Sequence, residues 1–381
     1  MQVRAVRCSA LLAFALILLG RPAAPLLAQG PQSASALFVH GRPLSEWIAQ
    51  TSHYIPELRR EAVKAIAALG PGGRAALPAL IRGVRDENEE VRYWSVEAIR
   101  RLGPIGREAI PALLVVLSDD TRRVQQTARL ALEAIGAPSA EALVPALHAR
   151  DAWLRANAAE ALGVIGVGKG PVVAGLSTLL SDDSLWVRAS AAWALGHLGP
   201  DAKRSARPLA TALREELRRD PSMTDPAGRV RVTNLTYALG RLGRQASEAA
   251  PLIVSVLYDG DDSLRVVAGD ALAGIGSKAA APLGKAVRQG SRPIQLAAAR
   301  SLRLMGPDGK GAVGDLVKLL ESTDELEGGH DLLLATADAL GAMGKPAGKA
   351  LKVLERRRKE SVSTDVVAAL DRAIRKIRLG A

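Results

Sequence analysis

The sequence predicts an all-α protein, an α-α superhelix or solenoid of about ten two-helix repeats. Three observations carry that prediction. Leu-Gly, Ile-Gly or Met-Gly pairs recur, closing on Gly70, Gly103, Gly136, Gly166, Gly199, Gly243, Gly276, Gly306 and Gly344, at intervals of 33, 33, 30, 33, 44, 33, 30 and 38 residues. A period in this range marks stacked supersecondary units. Apolar or small residues stand 12, 8, 5, 4 and 1 positions before each closing glycine, as in Val187, Ala191, Ala194, Leu195 and Leu198, and this spacing is one face of an α-helix. Aromatic residues make up only 3% of the 381-residue chain, while Ala, Leu, Arg and Gly dominate. That composition suits closely packed, repeating helices better than a varied core.

Each repeat is built in the same order. A proline (Pro78, Pro111, Pro145, Pro208, Pro251, Pro282) sits near the start of the first helix, where a missing N–H costs nothing. Apolar residues follow, and then an aspartate (Asp86, Asp119, Asp182, Asp259) marks the inter-helix turn. Six residues after three of these comes an arginine (Arg92, Arg188, Arg265), with Gln125 in the register of Asp119. An arginine in a helix's first turn opposes the helix dipole. Its recurrence predicts a carboxylate partner in the same repeat or the next, an Asp–Arg ladder joining repeats. The second helix carries a column of alanines (Ala65, Ala98, Ala131, Ala161, Ala194, Ala238, Ala271, Ala339) where neighbouring backbones approach, and the glycine after it reads as a left-handed C-cap.

This pattern (Pro early in helix one, Asp in the turn, Val-Arg opening helix two, Ala-Leu-Gly-x-Leu-Gly closing it) resembles the HEAT-repeat, armadillo-like family. Val187-Arg188, Ala194-Leu195-Gly196 and Leu198-Gly199 are most similar to the bacterial phycobilisome-lyase-type HEAT-like repeat. The resemblance runs from Leu44 to the C-terminus. It implies a right-handed superhelix with first helices on the convex side and second helices on the concave side. The matching residues are packing residues, so function is not carried over with them.

Residues 1–28 read as a signal peptide: Arg4 and Arg7, an apolar run over 10–19, and a cleavage site after Ala28. The run is too short to span a bilayer, and no later stretch is long and apolar enough. Retention as an N-terminal anchor is the alternative. The single cysteine, Cys8, falls inside this segment, so the remaining chain has no disulfide or thiolate chemistry. Periplasmic or secreted localisation is expected. Residues 29–43 form a lead-in, with Trp47 capping the exposed end of the core. The solenoid then fills 44–381, with polar insertions read as loops at 218–228 and 323–330 and a basic C-terminal cap over 345–381.

Catalytic chemistry is not visible. None of the five histidines is followed by Glu or stands four residues from another, so no metal set is predicted and no cofactor is expected. The acidic stretch 259–262 reads as a turn. The glycine-rich stretch 163–170 has no preceding strand and coincides with the repeat's C-cap, so it is not a phosphate loop. A chromophore lyase, raised by the family resemblance, has no catalytic residues to support it.

A non-enzymatic, monomeric, exported scaffold that binds a protein or peptide is the leading expectation. The stripe 13, 9, 6 and 2 positions before each closing glycine should face the concave side. In the fourth to sixth repeats it gathers Trp153, Asn157, Trp186, Trp193, His197, Asn234, Tyr237 and Arg241. Trp, Tyr and Arg are enriched at binding hot spots, although the same rings could fill gaps between second helices. The alternative is an envelope-associated binder of anionic lipid or polymer, working through Arg356, Arg357, Arg358 and Lys359. Net charge is +12, but residues 345–381 hold eleven Lys/Arg against four Asp/Glu, while 29–344 hold 37 against 35. A nucleic-acid-binding solenoid would spread a basic stripe over many repeats, so nucleic acid is not an expected partner.

Overall fold

The computed structural model describes residues 37–325 and 329–380. The predicted signal peptide and most of the predicted lead-in lie outside the described residues. Among these residues twenty α-helices pair into ten repeats. The first five are α1 (Leu44–Gln50) with α2 (Pro56–Ala68), α3 (Leu77–Gly83) with α4 (Glu89–Leu102), α5 (Ile110–Val116) with α6 (Arg122–Ile135), α7 (Ala137–Leu143) with α8 (Ala152–Ile165), and α9 (Gly170–Thr178) with α10 (Leu185–Leu198). The last five are α11 (Ala206–Arg219) with α12 (Pro226–Leu242), α13 (Ala250–Asp259) with α14 (Asp262–Ile275), α15 (Ala280–Gln289) with α16 (Arg292–Met305), α17 (Val313–Ser322) with α18 (His330–Met343), and α19 (Leu351–Glu360) with α20 (Thr364–Leu379). No helix among the described residues is long and apolar enough to cross a membrane.

Most consecutive second helices pack closely along their length, whereas most successive first helices touch at few positions. The second-helix side is therefore the inner, concave side of the stack. Small residues cause this. A Cβ placed on Gly163 would lie 2.8 Å from the Ala194 Cα, and one on Gly240 would lie 2.5 Å from the Ala271 Cα. The predicted alanine column is buried throughout.

The closing glycines all take positive φ, from 53° to 81°. Gly166 adopts the predicted left-handed cap (φ 73°, ψ 21°), but most of the others depart from it. At Gly103, Gly199, Gly243 and Gly306 ψ lies between −132° and −134°, a region that side chains bar almost completely. The chain thereby turns into 3-10 segments such as Gly103–Ala109 and Gly199–Ser205, which lead into the next first helix.

Two other expectations are corrected. Pro145 does not open a first helix. Pro138 opens α7, and Pro145 sits in a 3-10 turn, Val144–His148, that continues it. The 218–228 insertion is largely absorbed by lengthening α11 and α12, leaving a loop over 220–225 that buries Met223 and caps α12 through Asp225. Of the second insertion, Glu325 accepts a hydrogen bond from the Ser363 N–H at 2.8 Å and so ties into the tenth repeat.

The N-terminal end is sealed by an antiparallel hairpin, β1 (Phe38–Val39) and β2 (Arg42–Pro43), turned at His40 and Gly41 with both φ positive. That is the tight two-residue hairpin geometry whose twist matches its strands. Trp47 is buried beneath it, donates Nε1–H to the Val39 carbonyl at 3.0 Å and carries the Arg42 guanidinium over its ring. The predicted cap is thus present, with β structure that its short polar sequence did not reveal.

The ladder runs between repeats. Arg59 grips Asp86, Arg92 grips Asp119 and Arg155 grips Asp182, each pair 27 residues apart and held by two hydrogen bonds of 2.7–3.0 Å. The same arginines donate to carbonyls of their own inter-helix turn, as Arg92 does to Asp86 and Glu87. Arg59 and Arg155 escaped the sequence reading because no aspartate precedes them by six residues; the 27-residue spacing forward was the usable signal. The ladder ends at the sixth repeat. Arg188 keeps its two turn carbonyls but meets only Glu216, at 3.6 Å, a carboxylate shared with Arg231 and Arg219. Burial pushes the Arg188 guanidinium below its ordinary pKa, with Glu216 opposing. Asp259 and Arg265 do not form the expected rung: Asp259 is exposed, and Arg265 pairs with Asp262 at 2.8 Å.

Candidate partner-binding face

The predicted concave stripe is found on the inner side, on α8, α10 and α12, but its residues divide into two kinds. Trp193 is half-buried against Gly163 of the preceding helix, where a Cβ would stand 2.7 Å from its ring. Tyr237 lies in the same way over Gly196, 2.9 Å from a would-be Cβ. His197 bridges them, its ring centroid 3.8 Å from that of Trp193 and 5.8 Å from that of Tyr237. These rings fill the space that glycines leave between second helices, and Tyr237 and His197 still present an edge to solvent.

Asn157 is 5% exposed and belongs to the floor rather than to the contact surface. Asn234 is half-buried and donates Nδ2–H to the Ala189 carbonyl at 3.1 Å, tying α12 to α10. Trp153 is half-buried with Arg122 stacked 4.9 Å from its ring centroid. Arg241 is exposed. Trp186 stands apart: it is 75% exposed at the start of α10, with Val230 on the neighbouring α12 51% exposed. Between them opens a cavity of about 390 Å³ lined by Arg129, Glu160, Trp186, Ala189, Ser190, Trp193, Val230 and Asn234.

Sequence reasoning missed a second inner-face cavity, of about 580 Å³, formed by α14, α16 and α18. Val266, Leu296, Leu304 and Leu332 supply apolar surface, and three aspartates (Asp262, Asp270, Asp331) and four arginines (Arg265, Arg292, Arg300, Arg303) supply its charges. Its residues occupy or adjoin the same stripe columns, but it has no aromatic ring to draw attention.

At the basic end, three of the four predicted cations already have partners. Arg356 pairs with Glu321 at 3.0 Å, Arg357 donates to the Thr323 carbonyl at 2.5 Å, and Arg358 pairs with Asp371. Lys359 is exposed. Arg356 and Arg357 therefore tie the ninth and tenth repeats together, while Arg356 and Arg358 stay about half exposed beside Lys359.

The model of HEAT repeats matches residues 44–133 and 140–222. Over those residues the chain is built of HEAT repeats. Its fold is similar to that of importin beta, in a crystal structure grown in an ammonium sulfate condition, at TM-score 0.53 and 15% identity, covering 88% of this chain and 52% of importin beta. A Kap95:Nup1 complex gives the same values. This chain thus spans about half the length of those two solenoids, and the likeness concerns the fold alone. An engineered protein aligns over 89% of this chain and 99% of its own length at 21% identity, with a TM-score of 0.47. No curated protein matches the sequence.

Proposed function

We propose that this chain is a non-enzymatic scaffold, exported by residues 1–28, whose inner face holds an extended segment of a partner protein over the fourth to sixth repeats. The supporting observation is Trp186. A tryptophan 75% exposed beside an open cavity serves no packing purpose in a stack whose Ala and Gly columns already close the core, and large exposed apolar patches mark interaction sites. HEAT solenoids present such concave surfaces to partners.

The test is site-specific photocrosslinking in the producing cell. A benzophenone amino acid at position 186 is expected to give a discrete protein adduct, while the same group at Val115, exposed on a first helix, gives none. Trp186→Ala should weaken capture of that adduct's partner about thirtyfold or more, the usual cost of a hot-spot tryptophan, with helical circular dichroism unchanged. Identical adducts at both positions, or none at 186, overturn the reading.

Export has its own measurement. The mature chain should begin at Gln29, which intact-mass analysis of the protein recovered from the cell envelope or medium reads directly. An intact Met1 in that fraction would favour a retained anchor.

A further inference from the structure

The cavity beside Trp186 is short of one positive charge. Its lining holds one carboxylate, Glu160, and one guanidinium, Arg129, whose charge is taken by Glu133, a residue outside the lining. Burial pushes the Glu133 carboxyl above its usual range; Arg129 draws it back, and the Glu160 charge adds to the rise. Glu160 itself receives only the Ser190 hydroxyl, at 3.0 Å, and no cation pairs with it among the described residues. A neutral donor leaves its charge uncompensated.

The aromatic rings tell the same story independently. The other three tryptophans each carry one of the chain's own cations: Arg42 lies 4.3 Å from the centre of Trp47, Lys64 lies 5.4 Å from Trp94, and Arg122 lies 4.9 Å from Trp153. Trp186 and Trp193 have no such neighbour among the described residues, and both line this cavity. The negative face of an indole attracts ammonium and guanidinium groups, and a carboxylate beside it adds a charge-assisted hydrogen bond. An anionic side chain would meet Glu160, and an aliphatic one would bury it without a counter-ion.

We propose that this cavity receives a lysine or arginine side chain of the partner segment, its head on Glu160 and its stem along Trp186 and Trp193. The inference rests on the inner-face reading above and adds the chemistry of the segment: it is basic, although the chain as a whole carries net +12. The second cavity, at α14, α16 and α18, has no comparable deficit, since its lining holds four arginines (Arg265, Arg292, Arg300 and Arg303) against three aspartates (Asp262, Asp270 and Asp331).

The probe is a random dodecapeptide library displayed on phage, selected in parallel on the full chain, on Trp186→Ala and on Glu160→Gln. Peptides retained by the full chain and lost by Trp186→Ala should share a lysine or arginine at one position. Replacing that residue by norleucine or citrulline should weaken binding about tenfold or more, as loss of a charge-assisted contact does. Glu160→Gln, which keeps an acceptor for Ser190, should weaken the parent peptide by the same factor and leave the neutral peptide unaffected. Trp186-dependent peptides without a shared basic residue, or with a shared acidic one, overturn this inference and leave the inner-face reading standing. No Trp186-dependent peptide at all overturns both. Because the norleucine comparison alters only the peptide, it decides the matter even if Glu160→Gln folds poorly.

Discussion

Asp182→Ala is expected to lower the stability of the array by about 3 kcal/mol at pH 7, the low end for breaking a buried ion pair. Arg155 would keep its two turn carbonyls but lose both bonds to Asp182, of 2.7 and 2.8 Å, with its side chain only 15% exposed. The Ser184 N–H would lose its acceptor as well. The neighbouring Asp183 is exposed, so Asp183→Ala should change little, because exposed ion pairs are screened and weak. The effect should be pH-dependent. Burial pushes the Asp182 carboxyl up, but the Arg155 guanidinium, the Ser184 N–H and the Arg188 charge outweigh it and hold it below the usual carboxylate range. Its contribution is therefore fully present above the unfolded-state value of about 4 and is lost as pH falls through the depressed folded value. Thermal midpoints of wild type and Asp182→Ala should differ at pH 7 and converge as the pH falls through the depressed folded value; a constant difference would show that the pair is not the cause.

Gly240→Ala should be comparably damaging for a different reason. The added methyl would stand 2.5 Å from the Ala271 Cα and 2.7 Å from its Cβ, and neither atom is the end of a flexible side chain. The two second helices would have to separate, an overpacking cost of about 1–3 kcal/mol or more. In a repeat array stability is nearly a sum over neighbours. The loss should therefore concentrate at the joint between α12 and α14, and hydrogen exchange should quicken there first. Gly314, in α17, has nothing within 4 Å of a would-be Cβ. Gly314→Ala should be neutral or stabilising by up to about 1 kcal/mol, through helix propensity alone. Equal effects at the two glycines would refute the close-approach account.

These two positions show how much of the fold was legible. The period of the closing glycines, the alanine column and the turn aspartates are dictated by contacts that every repeat makes with the next. Such contacts repeat in sequence because they repeat in space. The hairpin over Trp47, the helices that absorb residues 218–228 and the end of the ladder at Arg188 each occur once. They depend on a single local environment and left no periodic trace.

The candidate site divides along the same line. Its stripe, on the inner side of α8, α10 and α12, followed from counting back from each closing glycine. The exposure of each member did not follow. Trp186 and Trp193 occupy equivalent columns of one helix, yet only Trp193 has a glycine, Gly163, to lie on. Asn157 and Asn234 look alike in sequence, but one is sunk in the floor and the other bonds across to α10. The basic end was counted correctly as charge, and the structure then gave three of its four cations to Glu321, the Thr323 carbonyl and Asp371. By itself, the sequence determined that this chain is a stack of helical repeats and which face of each second helix turns inward, because helical periodicity and close approach are local and repeated requirements. Tertiary structure alone decided which inward-facing residues stay open and which carboxylate lacks a cation. Those properties belong to pairs of residues about 30 to 45 positions apart, such as Glu160 with Ser190 and Asn234 with Ala189, and no single helix contains both partners.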